Sequence, residues 1–90
     1  MNRWHKRHVV VEAVQFLDGV EVLQIIKLQP GKIAYRREDG RSRIVIETPE
    51  GDMTANVGDW IIRGIAGEVY PCKDEIFRAT YDLATQVDHV

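Results

Sequence analysis

Val57-Gly58-Asp59-Trp60-Ile61-Ile62-Arg63-Gly64, running on as Ile65-Ala66-Gly67-Glu68-Val69-Tyr70-Pro71-Cys72, is the stretch that decides the fold. Gly58 can supply the positive φ that a tight turn needs. A two-residue loop at Gly58-Asp59 sets Val57 against Trp60 and Ala55 against Ile62. Gly64-Ile65-Ala66-Gly67 reads as the next loop, setting Arg63 against Glu68 and Ile62 against Val69. One of those pairs is opposite in charge and the other apolar, as cross-strand neighbours should be. Pro71 has no amide proton for a ladder, so the last strand is an edge or ends there.

Upstream, Asp39-Gly40 is a two-residue hairpin signal. It pairs Glu38 with Arg41, Tyr35 with Ile44 and Ile33 with Ile46 on one face. The other face receives Lys32 with Glu47, Ala34 with Val45, and Arg36 with Arg43. Glu38 lies diagonal to Arg43 and offsets the like-charged arginine pair. Thr48-Pro49-Glu50-Gly51-Asp52 is the following turn. Closing it at Thr48 and Met53 sets Ile46 against Ala55 and Ile44 against Val57, and an even offset keeps the apolar residues on one side.

Further back, Val9–Phe16 is β-branched and nearly continuous in apolar character, with Val10, Val14 and Phe16 on one face. Asp18 is placed to cap a short helix carrying Val20, Leu23 and Ile26 at helical spacing. Val20, Val22, Ile25 and Ile26 are β-branched and argue for a strand over 18–28 instead. Pro30-Gly31 ends the segment. Asp74-Glu75 opens a second helix, whose Ile76, Phe77, Tyr81 and Ala84 form the inward stripe. The expected fold is α+β: an antiparallel β-meander of five to six strands with two short helices packed on one face. Trp60, Ile62, Ile44, Ile46, Phe77 and Tyr81 are expected to share one core.

The chain has 90 residues, 44% of them hydrophobic and 29% charged, which fits a single small domain over 1–90. Residues 1–8 form a basic arm, and the tail from Gln86 is expected to fray. No apolar run is long enough for a membrane, and no apolar region follows the basic N-terminal residues as a signal peptide requires. A single cysteine suits a reducing cytoplasm. The net charge of −2 hides an excess of cations in residues 1–43 and of acids in 44–90, a dipole that can steer a partner or a second copy.

Three blocks resemble a family of small phage and prophage proteins of unassigned function. They are Val9–Phe16; Glu50–Gly64; and Gly67–Lys73 with Ile76-Phe77 and Thr80-Tyr81. The group is similar to proteins with a PGDYG-type motif, for which Val57-Gly58-Asp59-Trp60-Ile61 stands here without the leading proline and trailing glycine. The resemblance implies a phage or prophage origin and action in a bacterial cytoplasm. It brings no activity with it.

No catalytic or cofactor signature stands out. Cys72 sits beside Lys73 and before a helix, features that favour a thiolate, but a small buried apolar role is the simpler reading. Glu50, Asp52, Asp59 and Glu68 fall at turns and strand ends, where acids belong for local reasons. His5 and His8 have a metal-like spacing with no further ligand nearby, so no metal is expected. No cofactor is expected. The leading expectation is a non-enzymatic binding module for a host or phage protein, a small metabolite or a second copy. Its ligand site is sought at Arg63, Glu68, Tyr70 and Lys73. The alternative is a nucleic-acid-binding protein using Arg3, Lys6, Arg7, Arg36, Arg41 and Arg43, against which the acidic isoelectric point of about 5.9 argues. An unrecognised small enzyme comes third.

Overall fold

A computed structural model describes residues 2–3 and 9–82. The elements run β1 (Glu12–Gln15), α1 (Glu21–Lys27), β2 (Ile33–Glu38), β3 (Arg41–Thr48), β4 (Gly51–Asn56), β5 (Trp60–Arg63), β6 (Val69–Cys72) and α2 (Asp74–Thr80). The fold is α+β, as its patterning implied. The strands do not form one meander. They make two three-stranded antiparallel sheets, β2-β3-β4 and β1-β5-β6.

The first sheet is built by two tight hairpins. Asp39 and Gly40 both have positive φ (51° and 74°), the backbone that twists a two-residue loop to match its strands. Ile33 pairs with Ile46, Tyr35 with Ile44, and Arg36 with Arg43, as the alternation predicted. The second hairpin closes at Thr48 and Gly51, two residues tighter than expected, so that Ile46 meets Met53 and Ile44 meets Ala55. Pro49, with its preset φ, directly follows Thr48, and Gly51 adopts φ 114°, so Pro49-Glu50 alone completes the reversal. The even offset preserves which residues face inward.

The expected pairing fails after Asn56. Gly58-Asp59 is not a hairpin, and Val57 is half exposed rather than paired with Trp60. The Asp59 carboxylate accepts the Asn56 amide at 2.9 Å, and the Asp59 amide donates to the Asn56 carbonyl at 2.9 Å. This knot carries the chain out of one sheet and into the other. There the Gly58 amide donates to the Phe16 carbonyl (2.7 Å) and the Phe16 amide to the Asp59 carbonyl (2.8 Å). β5 therefore ladders with β1, from Gln15–Trp60 to Glu12–Arg63. The β5–β6 hairpin is one residue out from the expected register: Arg63 faces Val69 and Ile62 faces Tyr70. The Gly64 amide bonds the Glu68 carbonyl, so that Ile65, Ala66 and Gly67 turn the chain.

The crossing at Gly58-Asp59 divides the expected core in two. Between the sheets lie Phe16, Ile25, Ile33, Ile44, Ile46, Ala55, Ile61 and Val69, with Val14, Val22, Ile26 and Leu28 against them. Trp60 and Ile62 sit on the opposite face of β5. There Trp60 stacks on Phe77 at 3.9 Å, and Phe77 on Tyr81 at 5.0 Å. The two helices thus cover different faces: α1 seals the inter-sheet core and α2 the outer face of β1-β5-β6. Val10 is exposed, so only Val14 and Phe16 of the expected β1 face turn inward.

α1 buries Val22, Ile25 and Ile26, an i, i+3, i+4 stripe, and leaves Val20 and Leu23 in solvent. Asp18 does not cap it. The Glu21 carboxylate instead reaches back to the amides of Leu17 (2.8 Å) and Gly19 (2.9 Å). In α2, Phe77 and Tyr81 face the sheet while Ile76 is exposed. Ala84 and the tail from Gln86 lie outside the described residues.

Candidate functional site

With Ile44 and Ile46 fully buried on its inner face, β3 holds its alternate residues rigidly outward. The outward face of β2-β3-β4 is therefore fixed row by row. Arg36, Arg43 and Asn56 form one row, Ala34, Val45 and Thr54 the next, and Glu47 and Asp52 a third. Glu38 and Arg41 close the hairpin end. The Glu38 carboxylate lies 3.3 Å from the Arg43 guanidinium, the diagonal pairing expected from the spacing. Lys32 and Glu47 pair at 3.3 Å at the other end. Arg36 and Arg41 make no ion pair among the described residues. An open cleft of about 470 Å³ is lined by Glu38, Asp39, Arg41, Arg43 and Asn56.

The four residues first suspected of holding a ligand do not converge. Arg63 lies on the Ile61 side of β5, where its guanidinium grips the Glu12 carboxylate. The Glu68 carboxylate folds back to accept the Ala66 amide at 3.1 Å, filling the space a Cβ on Gly64 would need. Tyr70 points to the other face, and its phenol is pushed up to about 12, first by its hydrogen bond with the Tyr81 hydroxyl and then by burial. Lys73 turns away to the Asp59 carboxylate at 3.2 Å. Each of the four serves a local contact.

Cys72 is not an activated thiol. Burial, followed by the negative charge of Asp59, raises its pKa. The lysine that would have favoured a thiolate is spent on Asp59. Glu50 and Asp52 remain at the second hairpin, with Glu47 opposite Asp52, while Asp59 is a structural acceptor. Among the described residues, no group of three or more His, Cys, Asp or Glu side chains is placed to hold a metal ion. Arg3 is exposed, and His5, Lys6, Arg7 and His8 lie outside the described residues. No helix among the described residues is long and apolar enough to cross a membrane.

A polar cluster went unforeseen. Asp18, held at φ 60°, accepts hydrogen bonds from the hydroxyls of Tyr35 and Ser42, each at 2.7 Å. Arg37 stands 3.7 Å away. The two hydroxyls, Tyr35 before Ser42 in size of effect, and then Arg37 hold this carboxyl below its usual range. A carboxylate so stabilised is a poor base, and the cluster reads as a clasp between the turn before α1 and the first hairpin. The sequence cue was the pair Arg37–Ser42, two polar residues in inward register positions.

Comparison of the chain with protein-family models, with curated proteins and with solved structures gave no match.

Proposed function

We propose that the chain is a non-enzymatic binding module of phage or prophage origin, working in the bacterial cytoplasm, and that it takes its partner on the outward face of β2-β3-β4. The observation that carries this reading is the gathering of Arg36, Arg41 and Arg43 on one face, where Arg41 and Arg43 line an open cleft and Arg36 pairs with Arg43 beside it. Arginine forks held in this way suit carboxylates and other planar anions. Glu38, Asp39 and Glu47 are interspersed among them. Such a mixed pattern complements a charged protein surface better than a uniform phosphate backbone. The partner is accordingly a host or phage protein with an acidic patch. Affinity capture from infected cells with the wild type and with Arg36→Glu/Arg43→Glu tests it. A stoichiometric protein held by the first and lost by the second is the expected result, and equal capture by both rejects it.

Nucleic acid is the second reading, favoured by the adjacency of Arg36, Arg43 and Asn56. Binding isotherms to single- and double-stranded DNA across a salt series separate the two. Phosphate contacts give affinity that falls steeply with salt. Absence of binding at low salt removes this reading.

A further inference from the structure

The two sheets leave four edge strands, and three are guarded. β2 carries Lys32, Arg36 and Arg37 in and beside it, β6 contains Pro71, and β1 is four residues long. Such features discourage edge-to-edge pairing. β4 has no lysine, arginine or proline, and its one charge is Asp52. Its six residues are Gly-Asp-Met-Thr-Ala-Asn, and Gly51, Asp52, Met53 and Thr54 are all exposed. Met53 faces the core side yet keeps 41% of its surface in solvent.

Antiparallel pairs alternate between hydrogen-bonded and non-bonded. A hairpin closing at Thr48–Gly51 turns the amides and carbonyls of Met53 and Ala55 toward β3. Those of Asp52, Thr54 and Asn56 then face away. Asn56 fits this alternation, because its amide and carbonyl are taken by Asp59. β6 approaches β4 across the seam between the sheets, but no backbone hydrogen bond joins them among the described residues. Asp52 and Thr54 are left presenting donors and acceptors outward.

We infer that β4 is an association edge, at which two copies of the chain pair antiparallel about a two-fold axis at Met53. In that register Asp52 of each copy exchanges main-chain hydrogen bonds with Thr54 of the other. Met53 packs against Met53 across the axis, covering its exposed surface. The offset is even, so the inner faces of the two sheets stay on the same side. Charge favours a second copy as the occupant. The outer face has an arginine row (Arg36, Arg43) at one end and an acidic pair (Glu47, Asp52) at the other. Antiparallel pairing brings Glu50 of each copy opposite Asn56 of its twin, in the row of Arg43, while Asp52 falls opposite Thr54 and diagonal to the twin's Asp52, a like-charge contact that limits the affinity. A two-fold axis also closes the assembly at two. One strand edge covers less than the roughly 800 Å² per partner of standard stable interfaces, so the dimer is weak and reversible.

Sedimentation equilibrium of the full chain over a wide concentration range tests this. The expected result is a monomer–dimer equilibrium. Thr54→Pro deletes an outward amide proton without touching the β3-facing groups, and it should weaken the dimer by about tenfold or more, as the loss of two main-chain bonds implies. Met53→Lys sets like charges across the axis and should weaken it as well, which keeps the test intact if the proline variant misfolds. A wild type that stays monomeric throughout overturns the inference. So does a dimer untouched by both folded variants, or a mass that climbs without limit as head-to-tail pairing requires.

Discussion

Ile61 and Ile62 are adjacent in the chain, both fully buried, and belong to different cores. Ile61 faces the layer between the two sheets. Ile62 faces outward on β5, on the side that α2 covers, sharing it with Trp60 and Tyr70. A central strand buried on both sides is what lets a short chain place two layers on one ladder.

The two isoleucines should therefore report separately. Either change to alanine costs about 2–5 kcal/mol, the range for buried aliphatic truncation. Only Ile62→Ala should also shift Trp60 emission at low denaturant, because the indole shares its layer. Measured in a Trp4→Phe background, equal spectral effects from both variants would contradict this division.

Asp74 is the anchor of α2. Its carboxylate accepts the Trp60 indole N–H at 2.8 Å, the Arg78 guanidinium N–H at 2.9 Å and the Gln15 amide at 3.3 Å. Trp60 first and Arg78 second hold its pKa down. Asp74→Ala should loosen the helix and red-shift Trp60 while leaving the inter-sheet core folded. Amide exchange of residues 74–81 should quicken, with that of residues 42–48 unchanged.

Acid should open the clasp at Asp18. Its carboxyl is lowered in the fold, so the stabilisation is complete above the unfolded value of about 4 and fades as pH falls through the folded one. Asp74, and Glu21 through the Gly19 and Leu17 amides, behave in the same direction. Stability measured by urea melts should fall below pH about 4. In Asp18→Asn the starting stability should be lower and its loss in acid shallower. An unchanged acid profile would remove Asp18 from the clasp.

At the alkaline end the sign reverses. Tyr70 is raised to about 12, so its contribution is intact below about 10 and is lost as the phenol ionises in the folded state. Ultraviolet titration of the folded protein should show a late-ionising tyrosine, and Tyr70→Phe should abolish it. Cys72 should react slowly with thiol reagents until the protein unfolds, since its thiol is also raised.

Local pattern was a good guide wherever turn chemistry fixed the pairing. Asp39-Gly40 allows one loop, and the residues flanking it alternate cleanly, so every pair from Glu38–Arg41 to Ile33–Ile46 was legible. The junction at Gly58-Asp59 was not. Glycine and aspartate there suit a hairpin as well as a crossing between sheets, and the choice is made by Phe16, a residue more than forty positions away. The same ambiguity hid the second core, because Trp60-Ile61-Ile62 is apolar on both faces and carries no alternation to read. The arginines of the outer face were legible as a group, because Arg36 and Arg43 share parity. Arg63, Glu68, Tyr70 and Lys73 looked like a group only through nearness in sequence, and the one-residue slip of β5 against β6 dispersed them.

The pairing of β1 with β5 also sets an order of events during synthesis. Glu12 must wait for Arg63, 51 residues later, before its side of the ladder exists. The hairpins between Ile33 and Asn56 need only near neighbours and can close first, since short loops cost less entropy to form. The main-chain groups of the early strand thus stay unpaired through much of translation, and the last third of the chain completes the sheet beside it.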